Sequence, residues 1–444
     1  MSQTDQYVPT GAGIAMPELS GVYSKVIWRL MPFLFLAHVI CAIDRLNISF
    51  AKLHMAQDIG LSDAAYGLGA GIFYLGYILF EVPSNLYLKR VGARATITRI
   101  MLLWGAISLG MAFITTTNQL VVARFLLGMA EAGFFPGVIL YLTYWFPAAL
   151  RGRITAVFLM AAMVAGIASG PLAGWIMTQY QGWAGLSGWQ ALFVLEGIPA
   201  VLLALFGWFW LTDKPERASW LTAQEKQAIA AALASENAQH NAEGSMLQGL
   251  REPRVYIAGI VYCCIFCGTT TMAYWMPTLI RGFGMEDLRT VGMLSSLPYL
   301  LALPGMYWLG RSSDRRKERR WHIALAMLAS SACFLLLSLA QGSPTLSVAL
   351  MTVGAAAAMC AISLFWTLPP ALLSPAAAVG GIAVINSIGN LAAVLTPGAV
   401  GALKSATGSL YLAFAVVAAI QVFGTIWLLL AIPARSLSER REAQ

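Results

Sequence analysis

Long apolar runs separated by short polar breaks fill most of the chain. A helix that crosses a bilayer core takes about 20 mainly apolar residues, and twelve runs are of that order. The first six cover residues 26–49, 64–86, 97–115, 120–144, 154–178 and 189–211. The last six cover 255–279, 291–309, 323–339, 346–373, 378–403 and 410–432. Pro171, Pro298, Pro304, Pro369, Pro370 and Pro397 fall inside these runs. They predict kinks of the kind tolerated in helices that line a cavity. Between the two sets lies a polar stretch holding Asp213-Lys214-Pro215-Glu216-Arg217 and an Ala/Glu/Gln-rich segment through Ala242. The pattern predicts an all-α membrane protein with twelve transmembrane helices in two six-helix, pseudo-symmetric bundles. The expected order is a disordered cytoplasmic tail (1–24), an N-terminal bundle (25–211), a cytoplasmic linker (212–253), a C-terminal bundle (254–432) and a cytoplasmic C-terminal tail (433–444).

Composition agrees with lipid as the solvent. The 444 residues are 59% hydrophobic and only 11% charged, against about 25% charged in soluble domains. The first 24 residues lack the basic start and small-residue cleavage site of a signal peptide, so the first run is expected to stay as a membrane helix.

The net charge of +8 acquires meaning from its distribution. With the N-terminus inside, cytoplasmic loops hold Lys89, Arg90, Arg94, Arg151 and Arg153 in the first half and Arg311, Arg315, Arg316, Lys317, Arg319 and Arg320 in the second. The opposite side holds only Lys52, Arg281, Arg289 and Lys404; Arg45 and Arg124 remain within the membrane. This bias follows the positive-inside rule with both termini cytoplasmic. It explains the basic balance without a nucleic-acid partner.

Six cysteines are present. Cys263, Cys264 and Cys267 crowd one apolar run, but Cys264-x-x-Cys267 with no second pair and no nearby His reads as packing rather than as a metal site.

Two loops occupy matching places in the halves. After the second run comes Asn85-Leu86-Tyr87-Leu88-Lys89-Arg90-Val91-Gly92-Ala93-Arg94, and after the eighth Gly310-Arg311-Ser312-Ser313-Asp314-Arg315-Arg316. The second resembles the Gly-x-x-x-Asp-Arg motif of the major facilitator superfamily; the first departs from it, with Asn85 for Gly and Lys89 for Asp. Further stretches add to the likeness: 71–77 leading to Phe80-Glu81-Val82-Pro83-Ser84-Asn85, Arg124-Phe125-Leu126-Leu127-Gly128 running into Glu131-Ala132-Gly133, Tyr144-Trp145-Phe146-Pro147, Phe365-Trp366-Thr367-Leu368-Pro369, and 381–390 with Asn386 and Asn390. As a set they resemble the anion:cation symporter branch of that superfamily, which includes permeases for tartrate, phthalate, 4-hydroxyphenylacetate and sugar acids. The resemblance implies alternating access to a midplane site between the halves. It also implies a gating role for Asp314, as a latch to a helix terminus across the interface.

The candidate chemistry starts at Asp44 and Arg45. A charge at mid-membrane costs about 2.5–3.5 kcal/mol on the insertion scale unless it finds a partner, water or a ligand. Neighbours in sequence point about 100° apart on a helix, so each needs its own partner. One reading has both reaching water near the membrane edge. The other turns Arg45 into a central cavity, where its planar fork matches a carboxylate.

Arg124 and Glu131 share a face of the fourth run but lie about 10.5 Å apart along the axis, too far to neutralise each other. They could be separate structural links. The family pattern instead makes Glu131 a protonation site and Arg124 a gating or structural cation, with Arg124 expected to meet Asp44 in one state. Asp44 joins Glu131 as a proton-coupling candidate. Glu81, Glu196 and His38 read as structural.

The second half lacks a charge at mid-membrane, so its pocket wall is expected from aromatic and amide groups: Tyr274, Trp366 and Asn386, with Tyr77 joining from the second run. The spacing Gly166-x-x-x-Gly170-Pro171-x-x-Gly174 resembles a motif associated with antiporters, and equally suits close helix packing.

The expected protein is a monomeric carrier in a bacterial inner membrane. It takes up a small organic carboxylate with protons, with a lean toward an aromatic acid such as hydroxyphenylacetate. No cofactor is expected beyond the coupling proton. The alternatives are an anion exchanger or a drug or metabolite exporter, and more remotely a membrane-embedded enzyme or sensor. The last lacks His-Glu-x-x-His, Gly-x-Ser-x-Gly and any soluble catalytic domain.

Overall fold

A computed structural model describes residues 16–239, 246–340 and 342–432. The helices are α1 (Met16–Asp58), α2 (Asp63–Val91), α3 (Ala93–Met111), α4 (Thr117–Glu131), α5 (Phe134–Thr143), α6 (Ala148–Gln179), α7 (Gly188–Trp210), α8 (Ala223–Gln239), α9 (Met246–Arg251), α10 (Pro253–Gly282), α11 (Leu288–Arg316), α12 (Arg320–Leu336), α13 (Pro344–Phe365), α14 (Pro369–Leu372), α15 (Pro375–Thr407) and α16 (Leu410–Ala431). Among the described residues nine helical spans are long and apolar enough to cross a membrane, with α4–α5 and α13–α14 each counted as one. The apolar helix α12 is shorter, and α3 and α11 take the third and eighth places, giving twelve.

Local chemistry fixes the starts. Ser62, Thr116, Ser343, Ser374 and Ser409 each accept a backbone N–H of the following helix, and Asp287 accepts those of Arg289 and Thr290. These caps meet donors that would otherwise face lipid headgroups unpaired. Outward-facing Phe209 (83% exposed) and Leu430 (77%) lie on the surface that lipid covers.

Several boundaries differ from expectation. α1 begins at Met16, so residues 16–24 are helical rather than tail; residues 1–15 and the 433–444 tail lie outside the described residues. α1 also continues to Asp58, which puts Lys52 on a membrane helix, 4% exposed, rather than in a loop. At 43 residues it is about 65 Å long and overshoots a ~30 Å core. The linker is partly helical. α8 docks on α1 through Lys25 and Glu225 at 3.1 Å, and Trp220 stacks on Trp145 at 5.5 Å. Asp213 Oδ1 accepts the Arg94 N–H (2.9 Å) over Gly92 at the start of α3.

The fourth run is broken. α4 stops at Glu131, Ala132 turns to an extended conformation, and Gly133 has φ +86°. A side chain at Gly133 would be strained by its backbone and would collide with Ser84.

The halves meet through α2 with α15, α6 with α11 and α1 with α10. The seam is made of backbone against glycine. Gly67 faces the Pro397 carbonyl, Gly71 that of Val394, Gly401 that of Asp63, Gly170 that of Gly292 and Gly174 that of Leu288. The 166–174 glycines are thus close-packing positions. These approaches sit toward the end of the bundle away from the linker. Inter-half hydrogen bonds gather there too: Tyr66 Oη donates to the Tyr274 carbonyl (2.7 Å), Ala64 N–H to Ser405 Oγ (3.0 Å), and Arg281 to the Leu53 carbonyl. Toward the linker, beyond Gly166 against Tyr299, the glycines of the described residues make no such approach between the halves. The conformer is closed on the side away from the linker.

Candidate functional site

Arg45 is two-thirds of the way along α1, and its Nε donates to Glu131 Oε2 at 2.6 Å. The carboxylate is fully buried, whereas the Arg45 side chain keeps 26% of its surface. Cys41 Sγ, one turn earlier, donates to the same oxygen (3.4 Å). The helix break explains the placement. Ending α4 at Glu131 leaves the negative end of its dipole beside a cation and lets the side chain turn toward α1. The Arg45 guanidinium lies 5.0 Å from the Tyr77 ring centre and 5.5 Å from that of Phe73.

Arg124 is 0% exposed. Its Nε donates to the Gly69 carbonyl (3.3 Å), and its guanidinium lies 4.7 Å from the Phe73 ring centre. The pairing expected between Arg124 and Asp44 is not the one in this conformer. Asp44 instead accepts from Ser108 Oγ of α3 (2.5 Å) and from Asn47 Nδ2 one turn on (3.0 Å), and is 1% exposed. Asp44 and Arg45 therefore point to different neighbours, as their spacing requires.

From the C-terminal half, Tyr274 is buried on α10 and meets Tyr74 of α2 edge-on at 6.3 Å. Tyr74 also lies within electrostatic range of Arg45, Tyr262 and Tyr299. It is one aromatic link between halves that sequence reading passed over, beside Tyr66 on Trp275 (5.2 Å); its signal was a tyrosine three residues before Tyr77 on the same face. Trp366 packs against Tyr262 (4.9 Å, edge-on) and Phe365 at the linker-side end of α13. Asn386 is half-buried on α15. Among the described residues neither hydrogen-bonds Arg45, whose partner is Glu131. Asp314 is bonded to Arg319 of its own loop at 3.3 Å and is 71% exposed, so in this conformer it latches no helix end of the other half. His38 stacks on Phe158 (4.4 Å) and bonds its carbonyl through Nδ1 (2.9 Å), a packing arrangement.

A further charge cluster lies at the closed end. Lys52 Nζ is 2.6 Å from Asp63 Oδ1, and Lys404 of the other half is 3.1 Å from Asp63 Oδ2. Lys52 also sits 3.9 Å from the Trp275 ring centre and donates to Thr278 Oγ1 (3.3 Å). Between the halves a cavity of about 20 Å³ touches Leu46, Phe50, Ser169, Met272, Tyr299 and Met359. That is room for about one water, so a carboxylate passes only when the halves separate.

Comparison with known proteins places this arrangement. The sequence model of the Major Facilitator Superfamily matches residues 34–397. A putative metabolite transport protein, NicT, of Pseudomonas putida is 41% identical over 93% of this chain and 95% of its own. A putative tartrate transporter of Agrobacterium vitis is 41% identical over 89% and 88%, and a quinolone resistance transporter of Acinetobacter baumannii 40% identical over 91% and 93%. Among solved structures, the xylose transporter XylE from E. coli in an inward open conformation superposes with a TM-score of 0.73. It covers 94% of this chain and 99% of its own at 15% identity, a likeness of fold.

Proposed function

The chain belongs to the Major Facilitator Superfamily, and from that premise we propose that it takes up a small organic carboxylate together with protons by alternating access. It is a multi-pass membrane transporter rather than an enzyme. The observation that carries the finer reading is the Arg45–Glu131 pair: a fully buried acid holds a cation whose side chain keeps 26% of its surface exposed. A carboxylate reaching Arg45 competes with Glu131 for the same guanidinium. When it wins, Glu131 loses the charge that keeps it ionised in a dry site, and takes a proton. Anion and proton then load together. Asp44 is a second coupling candidate, Arg124 a gating cation, and Asp314 a latch in another state of the cycle.

The tartrate transporter supports a carboxylate cargo. The Tyr77 ring beside Arg45, with Tyr74 and Tyr274 meeting across the halves, favours an acid with an aromatic body. Trp366 and Asn386 would join the substrate once the halves move. The basic loops favour a linker and termini on the cytoplasmic side of a bacterial inner membrane, so the present conformer would be closed to the outside. The quinolone resistance relative favours export as the second reading.

The test is uptake of radiolabelled tartrate and 4-hydroxyphenylacetate into proteoliposomes under an imposed pH gradient, inside alkaline. Accumulation is expected in wild type and is lost in Arg45→Gln. Glu131→Gln keeps exchange but loses the pH drive. Full proton-driven accumulation by Glu131→Gln would remove that residue from the coupling, and flux only outward would favour export.

A further inference from the structure

Glu196 of α7 is 5% exposed, and both its carboxylate oxygens lack a hydrogen-bond partner of normal geometry. Asp44 Oδ2 and Asn47 Oδ1, each on a side chain 1% exposed, are in the same position. These atoms belong to one cluster. Asp44 acts on Glu196 through space, and the Asn47 amide lies against the Glu196 carboxylate while its Nδ2 donates to Asp44 Oδ1 at 3.0 Å. All four orphan atoms are acceptors. Two ionised acids would leave like charges beside each other in a dry interior, with the second N–H of the Asn47 amide to share among their free oxygens.

We propose that Glu196 is a proton-holding residue of this carrier, sharing one proton with Asp44 across Asn47. The inference rests on the proton-coupled reading above. One proton removes a charge and meets two of the four atoms. Asn47 Nδ2–H donates to an ionised Asp44, and a protonated Glu196 donates its O–H to Asn47 Oδ1. If the Asn47 amide is turned over, the roles of the two acids exchange and still one proton is needed.

Other groups set the balance. From α3, Ser108 donates to Asp44; the ionisable side chains of that helix, Arg94 and Arg99, stand at its linker-side start. From α4, Arg124 and Glu131 both act on Asp44. On α1, Arg45 is held by Glu131 on another face, with Cys41 beside it. α6 brings Arg151 and Arg153 at its linker-side end. When Arg45 leaves Glu131 for an anion, the field on Asp44 changes and the shared proton moves or is released. The N-terminal half thus holds two acid stations, Glu131 bonded to Arg45 and the Asp44/Glu196 pair.

The test is infrared difference spectroscopy on the full-length protein in lipid nanodiscs, reading the C=O stretch of a protonated carboxylic acid. At neutral pH that band is expected in wild type and in Glu131→Gln. It is expected to be lost in the isosteric Glu196→Gln and shifted in Glu196→Asp. No band in wild type would mean that solvent rather than a proton meets these oxygens, and a band unchanged in Glu196→Gln would assign it elsewhere; either overturns the proposal. The measurement needs no substrate. If no variant transports tartrate yet the band behaves as stated, the transport reading fails and the proton holder stands. In proteoliposomes active for tartrate, Glu196→Gln is expected to lose pH-driven accumulation while retaining exchange; unchanged accumulation overturns the role in coupling.

Discussion

Replacing Glu131 by Gln should strengthen anion binding at neutral pH and abolish its pH dependence. In the wild type an incoming carboxylate must displace a carboxylate already bonded to Arg45 at 2.6 Å. A hydrogen bond to a charged group contributes about 1.5–3 kcal/mol net. Because the Arg45 side chain is 26% exposed, the lower part of that range applies. A neutral amide competes far less, so the mutant should bind more tightly by about tenfold, the equivalent of ~1.4 kcal/mol.

The sign with pH follows from the same competition. On the proposed coupling, acidification would free Arg45 from Glu131 in the wild type and raise affinity; the mutant has no such proton to gain. Isothermal titration of purified protein with tartrate and with 4-hydroxyphenylacetate, over a series from mildly acid to mildly alkaline, reads both effects. Breaking a buried pair costs about 3–5 kcal/mol when the survivor is fully enclosed. Arg45 is only partly enclosed, so the melting temperature should fall only modestly. An affinity in Glu131→Gln below that of wild type, or a wild-type pH slope in the mutant, refutes the competition.

Two predictions concern the closed end. Gly71→Leu drives a side chain into the Val394 carbonyl of the other half; the protein should insert and fold but stay open at that end. A disulfide between Ala64→Cys and Ser405→Cys, positions joined at 3.0 Å by a backbone-to-hydroxyl bond, should form readily in the parent and fail with Gly71→Leu. Asp63→Asn leaves Lys52 and Lys404 facing each other across the halves without their shared carboxylate. A partly exposed pair is worth about 1 kcal/mol, so the open population should rise about fivefold, read as faster labelling of Ala64→Cys by a membrane-impermeant maleimide.

The helices and the two-half plan were legible because lipid leaves a strong period-free signal of apolar length. The seam was legible only as glycine spacing. Gly166, Gly170 and Gly174 share a face in the sequence, but nothing in a single chain says that Gly292 and Leu288 carbonyls stand opposite. The site was half legible. Arg45 and Glu131 were singled out as separate agents, and their pairing was missed because it depends on the break after Glu131. Ala132-Gly133 lies in an apolar run, where a turn carries no polar marking. Lys52 was taken for a loop residue because a lysine ends a hydropathy run, while its real partners, Asp63 and the Trp275 ring, come from other helices. Glu196 looked structural because its neighbours in sequence are apolar; Asp44 and Asn47 approach it from α1.

These placements explain how an event inside one half can reach the seam between both. Arg45 and Glu131 belong to α1 and α4, both in the N-terminal half, so an anion can part them without any movement of the bundles. The seam itself is backbone against glycine at five positions, with no side chain to yield, so it is either in register or apart. Small changes in energy must therefore act by shifting a two-state balance. The path for such a shift is short. Tyr77 and Tyr74 flank Arg45 from α2, Tyr74 meets Tyr274 of α10, and the Tyr274 carbonyl is tied back to Tyr66 on α2. An anion that pushes between Arg45 and these rings would press on α2, which starts at Asp63, Lys404's partner, and on α10, which carries Trp275 beside Tyr274. Occupancy of the site and closure of the distant end thus draw on the same aromatic contacts, which is the physical requirement for a carrier that opens to one side at a time.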